Sequence, residues 1–533
     1  MSCGTSDSGN QNNVVDPGNG LDTGNGIGLG PDACGNATCA SELSFSTFLD
    51  GSASSTGNTH TRDVAVDGSG NIYVTGGTAS PSFITTVGAY GRTFNAGQSP
   101  GQSIGLFGAM DAFVAKFNSN GALLWSTYLG GRNYDRTYAI DVDDIGNVYV
   151  GGRAGEGFPT TFGAFQTDFS GDDNNANRGY GSQDGFVTKF SSNGNLIWST
   201  YIGGPGSGFL RDIAVDPGTG EVFFGGSAYR GFSHSTNGAH QSMISGQADA
   251  LYGKLSANGA EILFSSFLGG PGGGSDSDGN NPSVQVNKNN GELYALHNTA
   301  SENACGSFGG GQYQSSLGGE MDVLLSRWSP TGALLACTYY GGPFTEAVET
   351  HGLAIDGSGN FIVAAGTRGG NLPAVAGGYD GTYNGGQFGD GFIAVVSKDG
   401  TILMASTYLG TGENDGIEGV AYSNGKILVS GTTSSPGYPT TDDAYQSNFN
   451  GGRNDMFMSV FSTDLSSLLY STYLGGSGED EGRTVAASPD GNIVFGGQTT
   501  SDNFPIQNSI VSSRSSNLTA TLTKIESISS ESE

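Results

Sequence analysis

The sequence predicts an all-β protein, a seven-bladed β-propeller of four-stranded antiparallel blades. Three observations predict it. A short marker recurs seven times, every 65 to 80 residues, the kind of period that belongs to propeller blades or repeat arrays. After each marker comes a hairpin of alternating β-branched residues around a Gly/Asp/Asn turn, the signature of a half-buried antiparallel pair. Finally, the seventh unit stops one strand short, and the chain opens with one strand too many.

The marker reads Ser46-Thr47-Phe48-Leu49, Ser126-Thr127-Tyr128-Leu129, Ser199-Thr200-Tyr201-Ile202, Ser265-Ser266-Phe267-Leu268, Cys337-Thr338-Tyr339-Tyr340, Ser406-Thr407-Tyr408-Leu409 and Ser471-Thr472-Tyr473-Leu474. Most copies run on into Gly-Gly. The first hairpin of the first unit joins Asp63–Asp67 to Asn71–Thr75, and the same element returns at 141–150, 213–224, 284–295, 353–363, 420–429 and 485–495. A second hairpin pairs Asp111–Phe117 with Leu123–Leu129. Each unit therefore holds four strands, and one such sheet buries too little apolar surface to stand alone. In the last unit the third strand is Thr519–Ile525, and nothing follows it that reads as a fourth. Setting Ser44–Leu49 beside it completes the seventh blade and removes the open edge, which radial closure requires.

Composition agrees. Glycine supplies 94 of 533 residues, against about 7% in an average protein, and that disfavours long helices. Acidic residues outnumber basic ones 50 to 20, a net charge of −30, which argues against a nucleic-acid or anionic-lipid surface. No window approaches the run of apolar residues that spans a membrane. With 29 Phe and 22 Tyr, the chain has the material for a large core.

The run Asp184-Gly185-Phe186-Val187-Thr188-Lys189-Phe190 to Ser199-Thr200-Tyr201-Ile202-Gly203-Gly204, with Phe158-Pro159-Thr160-Thr161 and Gly163-Ala164-Phe165-Gln166 upstream, resembles the bacterial β-propeller repeat family known as SBBP. The resemblance extends over about residues 43–526. It implies a secreted or surface-exposed bacterial protein and carries no agreed catalytic residues.

Outside the ring, residues 1–42 read as a flexible Gly/Asn/Ser-rich leader or tether and residues 527–533 as an acidic tail. Five cysteines are present. Cys34 with Cys39, and Cys305 with Cys337, are candidate disulfides. Cys3, followed by a polar leader, resembles the mature start of a bacterial lipoprotein, with the lipid on Cys3; an ordinary thiol is the alternative.

Enzyme signals are thin. The histidines at 60, 234, 240, 297 and 351 show no metal-ligand spacing, and no nucleophile elbow sits between a strand and a helix. Asp276, Asp278 and Asn280 carry oxygens at alternate positions, a pattern suited to Ca²⁺, as does the oxygen-rich run from Asp168 to Asn174; a solvated acidic loop is the other reading. The aspartate opening the third strand in six units, at 111, 184, 249, 322, 390 and 455, with Asn517 expected in its place in the seventh, is expected to accept bonds from turn amides.

Differences between units say more about ligands. The residue expected just before each first strand, at a mouth of the central channel, is Arg62, Tyr138, Arg211, Pro282, His351, Glu418 and Arg483 in turn. Three of seven are Arg, although Lys and Arg make only 20 of 533 residues. The column points to an anionic ligand, a uronic-acid glycan or an acidic peptide, held by Arg with Tyr138 as a stacking surface; pairing with Asp63, Asp212 and Glu481 is the competing account. The loops from Ala79 to Met110, Ala154 to Gln183 and Ser301 to Met321 hold Phe83, Tyr90, Phe94, Phe162, Phe165, Tyr180 and Tyr313, a composition suited to protein or glycan contacts. The expected function is a non-catalytic, surface-attached binding or scaffold module for protein or glycan partners. Its alternatives are a polysaccharide lyase or hydrolase using His351 and Glu418, and an accessory lipoprotein subunit of an outer-membrane assembly.

Overall fold

The computed structural model describes residues 41–51, 57–97, 109–171, 181–205, 208–229, 231–232, 234–271, 280–349, 351–386 and 389–526. Among them the chain forms seven antiparallel sheets and no helix. Blade 1 comprises Thr59–Val66, Ile72–Thr78, Asp111–Phe117 and Leu123–Leu129; blade 2, Arg136–Val142, Val148–Ala154, Asp184–Phe190 and Leu196–Ile202. Blade 3 is Gly208–Val215, Val222–Tyr229, Ala248–Leu255 and Ile262–Leu268; blade 4 is Asn280–Asn287, Glu292–Thr299, Asp322–Trp328 and Leu334–Tyr340. In blade 5 the first strand is split into Glu346–Ala347 and Leu353–Ile355, followed by Phe361–Thr367, Asp390–Val396 and Leu403–Leu409. Blade 6 holds Asp415–Ser423, Lys426–Thr433, Asp455–Ser462 and Leu468–Leu474. Blade 7 takes Asp480–Ala487, Ile493–Thr499 and Thr519–Ile525 from the end of the chain and Leu43–Leu49 from its beginning.

The first strands pack on one another in a closed circle, blade 7 against blade 1 included, so they line a central channel. The hairpin pairs expected from sequence are the observed ones: Asp63 faces Thr75, Ile213 faces Phe224, Val284 faces Ala295 and Val485 faces Phe495. Apolar side chains fill the space between blades, as where Tyr73 and Val114 of blade 1 meet Ile140 and Phe186 of blade 2. Closure pairs the expected strands, antiparallel, with Thr47 opposite Leu522 and Leu49 opposite Ala520. Phe45 is fully buried and lies on the third-to-fourth-strand turn of blade 1, where a side chain on Gly121 would meet its ring at 2.5 Å.

The repeated marker has a physical cause. The loop from second to third strand doubles back as a strap over the fourth strand of its own blade. In all seven blades the amide of the marker aromatic donates to a strap carbonyl, from Tyr128 to Gly91 at 2.9 Å through to Phe48 to Val511 at 3.2 Å. The preceding Thr or Ser hydroxyl accepts a strap amide in return: Thr127 from Gly91, Thr200 from Gln166, Ser266 from Gln241, Thr338 from Gln314, Thr407 from Asp380, Thr472 from Gln446 and Thr47 from Val511. The strap thus covers an edge that would otherwise be open to another chain.

The third-strand aspartates anchor the same straps. Asp111 accepts from the amides of Asn95 and Ala96, Asp184 from Ser170, Asp249 from Ser245, Asp322 from Gly318, Asp390 from Asn384 and Asp455 from Asn450. In blade 7 that place, opposite Thr499, is held by Thr519 and not by Asn517, which precedes the strand, and Asp50 takes the hydroxyls of Ser515 and Ser516 instead. The glycine after the marker lets the aspartate in: a side chain on Gly130 would meet the Asp111 carboxylate at 2.6 Å.

Most loop aromatics face the ring. Phe83 and Phe94 pack on Tyr128. Tyr90 reaches Phe190 of blade 2, and Tyr379 of blade 5 reaches Phe461 of blade 6. The amides of Phe165 and Tyr313 bond across to Gly259 and Gly400 of the next blade. Of the six that are described, Phe162 alone is fully exposed; Tyr180 lies outside the described residues.

Cys305 and Cys337 form a disulfide, with Cα atoms 5.9 Å apart, joining the strap of blade 4 to its fourth strand. Cys3, Cys34, Cys39, the leader to residue 40 and the tail from residue 527 lie outside the described residues.

Two outcomes follow. Phe45→Ala is expected to cost about 3–5 kcal/mol, read as a lower urea midpoint. Replacing Cys305 and Cys337 by Ser, which opens a loop spanning 32 residues, is expected to cost about 3 kcal/mol in the same measurement, with the far-ultraviolet circular dichroism of the ring retained.

Candidate functional site in the central channel

The column of differing residues is not ahead of the first strands but inside them. The hairpin register slips at one residue between Thr61 and Asp63, between Thr137 and Ala139, between Leu210 and Asp212, between Ile417 and Gly419, and between Gly482 and Thr484. The skipped residues are Arg62, Tyr138, Arg211, Glu418 and Arg483. Pro282 occupies the matching slip in blade 4, between Asn280 and Ser283. A β-bulge leaves its extra residue outside the ladder and re-aims its side chain. Repeated in six of the seven blades, the bulge turns one residue of each inward.

Charge then separates into two levels. On the side where the second-to-third-strand loops depart, four guanidiniums surround the buried Tyr138 ring. Arg211 and Arg136 lie 4.6 Å from its centroid, Arg153 5.2 Å and Arg62 5.9 Å. Arg136 donates to the Tyr138 hydroxyl. Phe209 packs beside Tyr138 and lies 4.1 Å from Arg153. Arg136 and Arg153 are direct cross-strand partners, an arrangement of like charges that destabilises a sheet. Gly77 makes room for it, because a side chain there would meet the stem of Arg136 at 2.9 Å.

Among the described residues neither Arg62 nor Arg211 has a carboxylate within salt-bridge distance, and the buried Nε of each lacks a hydrogen-bond partner. Arg483 differs, pairing with Glu418 at 3.1 Å and Glu481 at 2.7 Å. Burial, then the neighbouring Arg136 and Arg483, bring Arg62 down to about 9. His60 falls to about 3, from burial first and then Arg62 and Arg136. For Tyr138, burial pushes the phenol up, but the four arginines together outweigh it and bring it to about 6.

Beyond the bulge, toward the first-hairpin turns, lies the other level, an open cavity of about 460 Å³ lined by carboxylates and aliphatic side chains. Asp63 accepts from the Ile140 amide of blade 2 and the Thr484 hydroxyl of blade 7; Asp141 accepts from Val215 of blade 3; Asp212 accepts from Ser283 and Val284 of blade 4. These carboxylates therefore staple neighbouring blades rather than neutralise Arg62 or Arg211.

His351 divides the levels. The gap in the first strand of blade 5 carries it across the channel to within 3.7 Å of Asp63 and 3.6 Å of Asp212, with Nε2 donating to the Tyr138 carbonyl at 3.1 Å. Its own backbone bridges to Gly419 of blade 6. Burial opposes its charge, but Asp63 and Asp212 prevail and raise it to about 9. Asp63 is itself raised to about 6, chiefly by burial. His351 and Glu418 thus face different partners and do not meet as an acid/base pair.

Among the described residues no group of three or more His, Cys, Asp or Glu is placed to hold a metal. Asp276 and Asp278 lie outside the described residues; Asn280 opens the first strand of blade 4, with its backbone opposite Asn298. Arg136 and Arg153 escaped the sequence reading because neither stands in the bulge column. Their trace was an Arg two residues ahead of Tyr138 and another where blades 1 and 5 carry Gly77 and Gly366.

Seven four-stranded blades around a lined channel make this a seven-bladed β-propeller repeat protein. Two segments, residues 124–159 and 469–505, match the SBBP family model, described as a beta-propeller repeat. No curated protein matches the chain. Among solved structures it is similar to hydrazine synthase of Kuenenia stuttgartiensis, at 9% identity over 84% of this chain and 94% of that one, with a TM-score of 0.40. It is also similar to a protein of unknown function from Dyadobacter fermentans, at 10% identity over 91% and 100% of the two chains and a TM-score of 0.37. A third is the acylaminoacyl peptidase of Pyrococcus horikoshii, at 8% identity, 84% and 50% coverage and a TM-score of 0.37. Likenesses this distant say nothing of activity.

The His351 strut has a pH signature. A histidine raised from 6.5 to about 9 on folding contributes stability that is full below pH 6.5 and is lost as pH rises through 9. The stability advantage of wild type over His351→Asn is expected to shrink across that window by roughly 3 kcal/mol, read as urea midpoints that stand apart at pH 6.5 and converge above pH 9.

Proposed function

We propose that the propeller is a non-catalytic binding module that grips an anionic partner, a uronic-acid glycan or an acidic peptide, at the arginine-lined level of its channel. One observation carries the reading: a chain of net charge −30 gathers four arginines around one buried tyrosine, two of them without a described carboxylate partner. Guanidinium matches carboxylate in a two-point fork, and charge-assisted bonds of this kind contribute about 1.5–3 kcal/mol each. Arg62 and Arg211 are half-buried, so each keeps an accessible side. The location proposed is outside the cytoplasm, secreted or held at the cell surface by a lipid on Cys3; the Cys305–Cys337 disulfide is compatible with an oxidising compartment.

The test is calorimetric titration of the full chain with oligogalacturonate and with poly-glutamate, using an uncharged oligosaccharide as control. Binding of one acidic chain is expected, weakened at least tenfold in Arg62→Ala/Arg211→Ala and by added salt. Equal affinity in wild type and double variant, or no binding of either polymer, would refute it.

A further inference from the structure

At the two junctions flanking blade 6, buried carboxylates from adjacent blades meet over the glycine that follows the marker. A side chain on Gly410 would stand 2.8 Å from Oδ1 of Asp390 and 2.9 Å from Oδ2 of Asp415; one on Gly475 would stand 2.5 Å from Oδ1 of Asp455 and 3.0 Å from Oδ2 of Asp480. In each pair one aspartate opens the third strand of its blade and the other opens the first strand of the next. All four are buried. The two members are bonded differently. Asp415 accepts from the Thr411 amide at 2.7 Å, the Ser435 hydroxyl at 3.0 Å and the Thr433 hydroxyl, using both oxygens. Asp480 does the same with the Gly476 amide, the Ser501 hydroxyl and the Thr499 hydroxyl. Asp390 accepts on Oδ2 alone, from the amides of Asn384 and Gly385, and Asp455 on Oδ2 alone, from the Asn450 amide and the Gln446 side chain. The buried Oδ1 of each has no hydrogen-bond partner among the described residues.

Bonds accepted on both oxygens mark an ionised carboxylate. Acceptance on one oxygen alone is the pattern of a carboxylic acid, whose other oxygen carries the proton. Two like charges side by side in a buried site are relieved by a proton or a cation. The donor set favours the proton, because N–H and O–H groups ring each pair, whereas a hard cation needs many oxygen lone pairs. Around the first pair Asp380 and Glu413 add negative charge; Arg514 faces Asp480 in the second but is held by Asp502 at 2.7 Å. Tyr383, Tyr408, Tyr438 and Tyr473, beside the pairs, are kept neutral by burial.

We infer that Asp390 and Asp455 are carboxylic acids that each share the Oδ1 proton with the carboxylate of the next blade, so that one proton per junction locks blade 6 to its neighbours and rising pH releases it. Loss of the proton to solvent leaves two buried anions facing each other across the joint, and the repulsion falls on the straps that Asp390 and Asp455 anchor. In agreement, burial, joined by the neighbouring aspartate, holds Asp390 up to about 6 and Asp455 up to about 7. Carboxyls raised on folding from 3.8 contribute stability that is full below 3.8 and is lost as pH rises through 6 and 7.

The experiment compares the full chain with Asp390→Asn/Asp455→Asn, because Asn keeps the accepting oxygen and puts a donor where the acid's hydroxyl stood. The urea midpoint of the variant, relative to wild type, is expected to climb from roughly pH 4 to roughly pH 7 and to stand above wild type beyond that. Potentiometric titration of the folded proteins from roughly pH 5 to roughly pH 9 is expected to count about two fewer protons released by the variant. A stability difference that does not change with pH overturns the inference, as does an unchanged proton count. Should the double variant fail to fold, Asp455→Asn alone decides by the same count: about one proton fewer supports the lock, and no change overturns it.

Discussion

The pairing of Leu43–Leu49 with Thr519–Ile525 is the constraint on which the rest of the structure depends. Without it, Thr519–Ile525 becomes an edge with unpaired backbone groups, and the strap around Val511 loses the Thr47 hydroxyl and the Phe48 amide it binds. Blade 1 loses Phe45 from its turn. The channel exists only because blade 7 meets blade 1, so contacts that cross it, such as His351 with Asp63 and Asp212, presuppose closure. An open array adds stability repeat by repeat; a ring adds these cross-channel contacts together, when its last gap shuts.

A second constraint is local. A continuous ladder alternates its side chains between the two faces of the blade, leaving none directed along the sheet toward the axis. One bulge in the first strand of six of the blades breaks the alternation and frees a residue for the channel. Blade 5 carries the device further. Its first strand parts between Ala347 and Leu353, which gives His351 the reach to contact blades 1, 2 and 3 at once. The same irregularity that exposes variable residues to a ligand thus also supplies the strut.

Much of this was legible in the sequence, and what was not has identifiable causes. The hairpin partners and the closing strand could be read because each depends on local alternation and turn chemistry. The bulge column was visible as a column, since aligned repeats expose their differences. Its depth was not, because a bulge is a pattern of hydrogen bonds and leaves composition unchanged. Arg153 joins the cluster only through its pairing with Arg136 across the hairpin, and no column search aligns a first strand with a second. Tyr90, Phe165 and Tyr313 looked like contact surface because an aromatic between small polar residues suits a partner and a neighbouring blade equally well. Asp50 standing in for the missing aspartate of blade 7 could not be seen either, since it lies over 460 residues away from the hydroxyls it binds.

The distribution of charge narrows what the arginine level is built to receive. A protein of net charge −30 repels a polyanion lying along its outside, and at physiological ionic strength each exposed charge is felt over only about 8 Å. Inside the ring the medium is less polarisable and screening is weaker, so the guanidiniums act strongly on whatever enters and hardly at all on what stays outside. A long anionic chain spread over the surface gains little from them. A single negative group presented at a chain end gains all of it: it meets the fork geometry of Arg62 and Arg211 while the rest of its chain remains in solvent. On the reading proposed here, recognition is therefore of an anionic terminus rather than of an extended charged polymer, and the carboxylate level beyond His351, already committed to joining blades, keeps that terminus from passing through.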